Sequence, residues 1–170
     1  MKTVLMVICL LIPVSACAHQ TATCTMTAYF SPWDNVIVPI HRALLSAHKT
    51  VYCSLYGITN RYLAHDLINL ERKGVTVEVG LDKREAHGRY DLHTVLEAAG
   101  ITVIIKPRVV LEHNKLCVID GRTIIMGSYN WSASAQKQDN SDVIIKNCPR
   151  LGKAFVGECK RIYERDSHPR

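Results

Sequence analysis

The 170-residue chain lacks any CxxC pair or interleaved Cys/His spacing, which excludes the usual structural zinc modules. It holds no internal repeat, low-complexity run or linker-like stretch, so a single domain is expected. No uncharged apolar run approaches the roughly 20 residues that a membrane span needs, the longest being Val4–Val14. Acidic residues are in deficit, 15 Asp and Glu against 21 Lys and Arg. The resulting formal charge of +6 suits an acidic partner such as nucleic acid or an anionic lipid surface. What is present is an ordinary globular composition, 48% hydrophobic and 21% charged, which excludes a disordered chain.

Lys2 followed by Val4–Val14 has the form of an export signal, a positive start and a short apolar core. Two processing sites overlap. Ala16-Cys17-Ala18 fits cleavage after Ala18, whereas Val14-Ser15-Ala16-Cys17 has the form of a lipobox cut after Ala16, with Cys17 as the lipid anchor. Residues 1–18 are therefore expected to be a signal peptide, and the protein to be exported to a periplasmic or secreted location. Beyond Cys17 stand five cysteines. Cys53 and Cys117 lie in apolar strand patterns and read as buried thiols; a bridge involving Cys24 or Cys148 is open, with no partner defined, and Cys159 completes the odd count.

Periodicity predicts a helix over residues 35–48, a buried strand over 50–58, and a helix capped by Asn60 that stops at Gly74. A strand over 75–81, a polar loop DKREAHGR, a helix over 91–99 and a strand over 102–105 follow. A hairpin, the loop QKQDNS, a strand over 143–146 and a helix after Pro149 complete the chain. Strands that alternate with helices and then form a hairpin imply an α/β fold with a mixed sheet covered by helices on both faces.

The hairpin carries the chemistry. Leu116–Ile119 and Thr123–Met126 are apolar β-favouring runs, and Asp120-Gly121 between them signals a two-residue type I′ turn. That loop sets Ile119 opposite Arg122, Cys117 opposite Ile124, Lys115 opposite Met126 and His113 opposite Ser128. His113, Lys115 and Ser128 then share one face, with Asn130 nearby, while Leu116, Val118 and Ile125 point into a core. A neutral imidazole can attack phosphorus, Lys115 is a cation for phosphate oxygens, and Ser128 and Asn130 are neutral donors. Asp120 reads as a structural turn residue.

His113 to Asn130, HNKLCVIDGRTIIMGSYN, reads H-x-K, four residues, D, six residues, G-S-x-N, with Gly127 opening the last element. This block resembles the HKD motif of the phospholipase D superfamily, and most closely the small one-motif endonucleases of the Nuc type. The resemblance runs from about residue 26 to 165 and includes VYCSLYGI followed by Thr59, KGVTVEVGLD and AAGITVIIKP. It implies a phospholipase D/nuclease-like domain and a metal-independent phosphodiesterase without cofactor. His113 would be the residue phosphorylated, with Lys115, Ser128 and Asn130 holding the phosphate. A downstream acidic residue that orients the histidine maps to Asp142, where the relatives carry glutamate; Asp139 is the competing position.

A phosphohistidine route needs a second histidine on the leaving oxygen, and H-x-K-x4-D occurs once. His41, His48 and His65 fall on predicted helices and His87 in a loop. A homodimer in which two copies of His113 meet across a two-fold axis resolves the deficit, as in one-motif relatives. The expected substrate is DNA or RNA, cut with little sequence preference; membrane phospholipid is the alternative. Lys83, Arg84, Arg89, Lys106 and Arg108 are candidate backbone contacts, and Tyr129 and Trp131 are candidates to stack a base, with packing as their alternative role.

Overall fold

The computed structural model describes residues 23–106 and 110–164. The proposed signal peptide, with Cys17, Ala16 and Ala18, lies outside them, as do His19, Arg108, Arg165 and His168. The elements are β1 (Thr25–Ser31), α1 (Ile37–Leu44), β2 (Thr50–Leu55), α2 (Arg61–Arg72), β3 (Thr76–Asp82), α3 (Lys83–Ala86), α4 (His93–Ala98), β4 (Thr102–Lys106), β5 (Lys115–Ile119), β6 (Thr123–Gly127), β7 (Asn140–Lys146) and α5 (Pro149–Glu164).

The strands form one mixed sheet in the order β1-β7-β6-β5-β2-β3-β4. β2, β3 and β4 run parallel; β5 is antiparallel to β2 and starts an antiparallel succession through β6, β7 and β1. Helices cover both faces, as the alternation of strands and helices implies. On one face Ile40 and Leu44 of α1 and Leu63 and Leu67 of α2 pack against Val51, Leu55, Val77, Val79 and Leu81. Each such fully buried side chain contributes about 1.5–3 kcal/mol. On the other face Phe155, Val156, Cys159 and Tyr163 of α5 lie against Tyr52, Leu116, Val118, Ile124 and Ile145. β2 is buried on both faces because helices flank it, hence its near-continuous apolar sequence. Asn60 caps α2 by accepting the Tyr62 and Leu63 amides at 3.0 and 3.2 Å.

Several boundaries differ from expectation. α1 is shorter than 35–48 and leaves His48 in the following loop, where its amide is held by Asp120 at 2.9 Å. The loop DKREAHGR contains α3, capped by Asp82. β1 is an edge strand that the expected elements do not include, although Met26, Ala28 and Phe30 alternate with Thr25, Thr27, Tyr29 and Ser31. β7 begins at Asn140, so part of QKQDNS is strand.

The hairpin differs most. Asp120 and Gly121 have φ of 50° and 59°, and Arg122 donates to the Ile119 carbonyl at 3.0 Å, as a type I′ turn requires. The ladder nevertheless pairs Ile119 with Thr123, Val118 with Ile124, Cys117 with Ile125 and Leu116 with Met126. Arg122 is left outside it, because its carbonyl accepts the Cys148 amide at 3.0 Å. This one-residue offset moves Ile125 from the predicted core face to the face of Cys117 and puts Ile124 beside Val118. Continued outward, the register sets Gly127 opposite Lys115, and Ser128 no longer faces His113.

Cys53 and Cys117 are not thiols. They are directly opposed in the antiparallel β2–β5 pair, Cα atoms 4.1 Å apart, and form a disulfide. A second disulfide joins Cys24, before β1, to Cys148, after β7; Cys159 is free and buried.

Candidate active site

The polar end of the hairpin lies where the carboxyl ends of parallel β2 and β3 meet the start of antiparallel β5, the usual place for a site in an open α/β sheet. Lys115 pairs with Leu55, and the Tyr56 amide donates to the Asn114 carbonyl at 2.8 Å. This draws Tyr56 against the motif. Its ring meets the exposed His113 imidazole edge-on, centroids 4.8 Å apart, and the Lys115 Nζ lies 5.0 Å from the same ring centroid.

Lys115 is only 7% exposed, and its ammonium donates to the His113 carbonyl at 2.8 Å. Burial holds it below the usual lysine range, opposed by the charges of Glu112 and Glu85. Glu112 is buried; it accepts from the Asn114 amide and side chain at 3.1 and 2.7 Å, while its own amide donates to Asp82 at 3.1 Å. The Tyr56 hydroxyl bonds Glu85, which raises its pKa. Tyr56, Glu85 and Glu112 escaped the sequence reading. The signal was positional: each follows or precedes a strand at the carboxyl edge of the parallel segment.

The remaining motif residues divide. Asn130 lines a cavity of about 210 Å³ with Tyr56, Thr59, Glu85 and Ser134, so Tyr56 joins it to His113 and Lys115. Ser128 turns toward β7, accepting the Ser141 amide at 2.9 Å and donating to Asn140 Oδ1 at 3.3 Å. Gly127 shares a small cavity with His113 and Lys115. A Cβ on Gly127 would collide with the Asp142 carboxylate and the Ser141 carbonyl, so only glycine admits this approach. Asp120 sits at the far end of the hairpin and binds the backbone of another segment.

Asp142 is fully buried and pairs with Gly127 in the β6–β7 ladder. One carboxylate oxygen accepts the Tyr129 amide at 3.1 Å and the other has no hydrogen-bond partner. Burial therefore pushes its pKa up to about 6, against the pull of that one amide. Asp139, the competing position, is exposed. Tyr129 and Trp131 are 0% and 1% exposed within the core and cannot stack a base, contrary to one of their two expected roles. Other histidines are held locally: His41 by Asp66, His93 by Asp91, both at 2.8 Å, and His87 by the Lys83 carbonyl at 2.7 Å. Among the described residues no group of three or more His, Cys, Asp or Glu side chains gathers as a metal site would.

An exposed imidazole, a buried ammonium near it and a carboxamide are the groups with which a nucleophile and cationic and neutral donors can meet an anionic centre. Residues 40–166 match the family described as cardiolipin synthase, PLD-like domain, and the chain belongs to this family within the phospholipase D superfamily. A phospholipase D of Rickettsia conorii is 30% identical over 110 residues, covering 65% of this chain and 55% of that protein. A mitochondrial cardiolipin hydrolase of Danio rerio is 30% identical over 122 residues, covering 71% and 54%. The chain thus spans about half the length of these curated relatives. Among solved structures, the phospholipase D family member Nuc of Salmonella typhimurium superposes with a TM-score of 0.79 at 23% identity, covering 84% of this chain and 95% of that one. The last likeness is one of fold.

Proposed function

We propose that the chain is a metal-independent phosphodiesterase, an exported endonuclease with little sequence preference that works through a phosphohistidine on His113. The observation that carries this reading is the exposed His113 imidazole set against Tyr56 beside the buried Lys115 ammonium. A ring nitrogen of His113 attacks phosphorus, and the P–O bond to the leaving group breaks. The leaving oxygen takes a proton from the imidazolium of a second His113, supplied by a partner copy across a two-fold axis. Water then attacks the phosphohistidine, the P–N bond breaks, and the second imidazole accepts the water's proton. Lys115 offsets charge on the phosphoryl oxygens and Asn130 donates to them. Ser128 joins them by exchanging its bond to Asn140; Asp142, expected to orient the histidine, instead bonds the Tyr129 amide and makes no hydrogen bond to His113. The positive charge of the chain suits a polyanionic substrate. Two disulfides suit an oxidising compartment; no helix of the described residues is long and apolar enough to cross a membrane.

One observation favours a second reading, hydrolysis of membrane phospholipid: the relatives named phospholipase D and cardiolipin hydrolase. The two separate when the protein is incubated in EDTA with plasmid DNA and with vesicles of phosphatidylcholine or cardiolipin. The endonuclease reading expects nicked and linear DNA, lost in His113→Ala. Lipid cleavage with intact DNA selects the second reading, and cleavage that requires added metal overturns the mechanism.

A further inference from the structure

A larger cleft of about 640 Å³ adjoins the site. It is lined by Thr59, Arg61, Tyr62, Arg89, Tyr90 and Ser134, among others. Thr59 and Ser134 also line the cavity that holds Tyr56 and Asn130, so the two spaces share a wall. Tyr62 and Tyr90 stand 78% and 71% exposed. The Arg89 guanidinium lies 5.6 Å from the Tyr90 ring centroid. The polar groups of the floor are already engaged: Asn60 caps α2, and Asp91 accepts the His93 amide and ring at 2.8 Å each. Neither Arg61 nor Arg89 forms a salt bridge among the described residues. The rim therefore presents two aromatic faces and two unneutralised cations, beside a floor whose carboxylate is satisfied.

We infer that this cleft is a stacking subsite for an unpaired base of single-stranded nucleic acid, with Tyr62 and Tyr90 as the platform and Arg61 and Arg89 on the flanking phosphates. The inference rests on the endonuclease reading and names its substrate class. Every base has a π-face, so stacking tolerates any sequence, while a paired base in a duplex is not free to enter. Guanidinium groups suit phosphate and also stack on aromatic planes. An acyl chain would call for an aliphatic trough, and the lining aliphatic side chains are few, Ile37, Leu92 and Ala133. Tyr129 and Trp131, buried in the core, leave no competing platform within the motif.

The test is binding of a fluorescent twelve-nucleotide oligothymidylate, an abasic strand of equal length and a duplex by the disulfide-bonded His113→Ala chain, read by anisotropy. Stacking is worth about 1–3 kcal/mol per base, so Tyr62→Ala or Tyr90→Ala is expected to weaken oligothymidylate binding roughly 5- to 150-fold. Binding of the abasic strand should change little, and Tyr62→Phe and Tyr90→Phe should retain the affinity. Melting curves verify that each variant is folded. Unchanged affinity in a folded Tyr62→Ala, Tyr90→Ala double variant overturns the inference. So does equal binding of the abasic strand and oligothymidylate by the parent, or loss of cardiolipin-vesicle binding instead of oligonucleotide binding. Cleavage is assayed separately with the unsubstituted chain in EDTA. Its absence alongside the expected binding pattern overturns the endonuclease reading and leaves the cleft as a nucleic-acid site.

Discussion

Two aspartates sit at opposite ends of one hairpin and live in opposite electrostatic worlds. At the turn end, Asp120 accepts the backbone amides of His48, Lys49 and Thr50 at 2.8–2.9 Å, and these bonds hold its pKa below the ordinary value despite partial burial. At the site end, buried Asp142 has one amide and one unpartnered oxygen, and its pKa is pushed up to about 6. The turn end is saturated: Arg122 and Cys148 are bonded there, and the Cys24–Cys148 disulfide anchors the edge strand beside it. The site end keeps an exposed histidine and an incompletely satisfied carboxylate. Hydrogen bonds are saturated where the chain turns, and left open where the hairpin carries the proposed site.

The sharpest way to break this contrast is at the site end. On the endonuclease proposal, His113→Ala should reduce nucleic-acid cleavage about 10⁴-fold or more, because the proposed nucleophile is gone. Its melting temperature should stay close to the parent's, since the side chain is exposed. A His113→Ala protein that retained cleavage would remove the site from this end. At the turn end, a Cys24→Ser, Cys148→Ser double variant should lose roughly 2–5 kcal/mol in denaturant unfolding while the folded protein keeps its activity. Asp120→Ala strands three amides and should cost about 2–3 kcal/mol, again with activity preserved in the folded fraction. A large activity loss in either folded variant would show that the two ends are coupled.

The smallest effect is a difference in pH slope. Asp142 has a folded pKa above its ordinary 3.8, so its contribution is complete below pH 3.8 and is lost as pH rises toward 6, at most about 3 kcal/mol. Asp120 runs the other way: its pKa is depressed, so its contribution is present above pH 3.8 and lost as pH falls through its lower folded value. Unfolding free energy measured between pH 4 and 6 should therefore flatten in Asp142→Asn and keep the parent slope in Asp120→Asn. Identical slopes in all three proteins would remove the electrostatic contrast.

Much of the architecture was legible along the chain, because its signals are local. The mixed sheet followed from alternating periodicities, the start of α2 from Asn60, and the turn from Asp120-Gly121, whose positive φ values few other pairs accept. Grouping His113 with Lys115 needed only their two-residue separation, although His113 itself precedes β5. The register did not follow, because the extra residue Arg122 is held out of the ladder by Cys148, distant in sequence. β1 carries the alternation Met26, Ala28, Phe30, but at the sheet edge Met26 and Phe30 stay exposed, so the pattern marks no buried face. Tyr129 and Trp131 sit next to the motif in sequence, yet burial withdraws them from it, while Tyr56, from another strand, takes the place beside His113.

What the amino-acid sequence determined by itself was the chemistry available: one imidazole two residues from one lysine, at the opposite end of a hairpin from its Asp-Gly turn. Spacing along a strand is set by covalent geometry, and that much survives any packing. The tertiary structure alone decided the partners. It opposed Cys53 to Cys117, laid Tyr56 against His113 and beside the cavity of Asn130, buried Asp142 over a glycine, and set the Tyr62–Tyr90 cleft next to the site. Each of these is a contact between segments far apart in the chain, whose geometry comes from strand order and helix packing rather than from local preference.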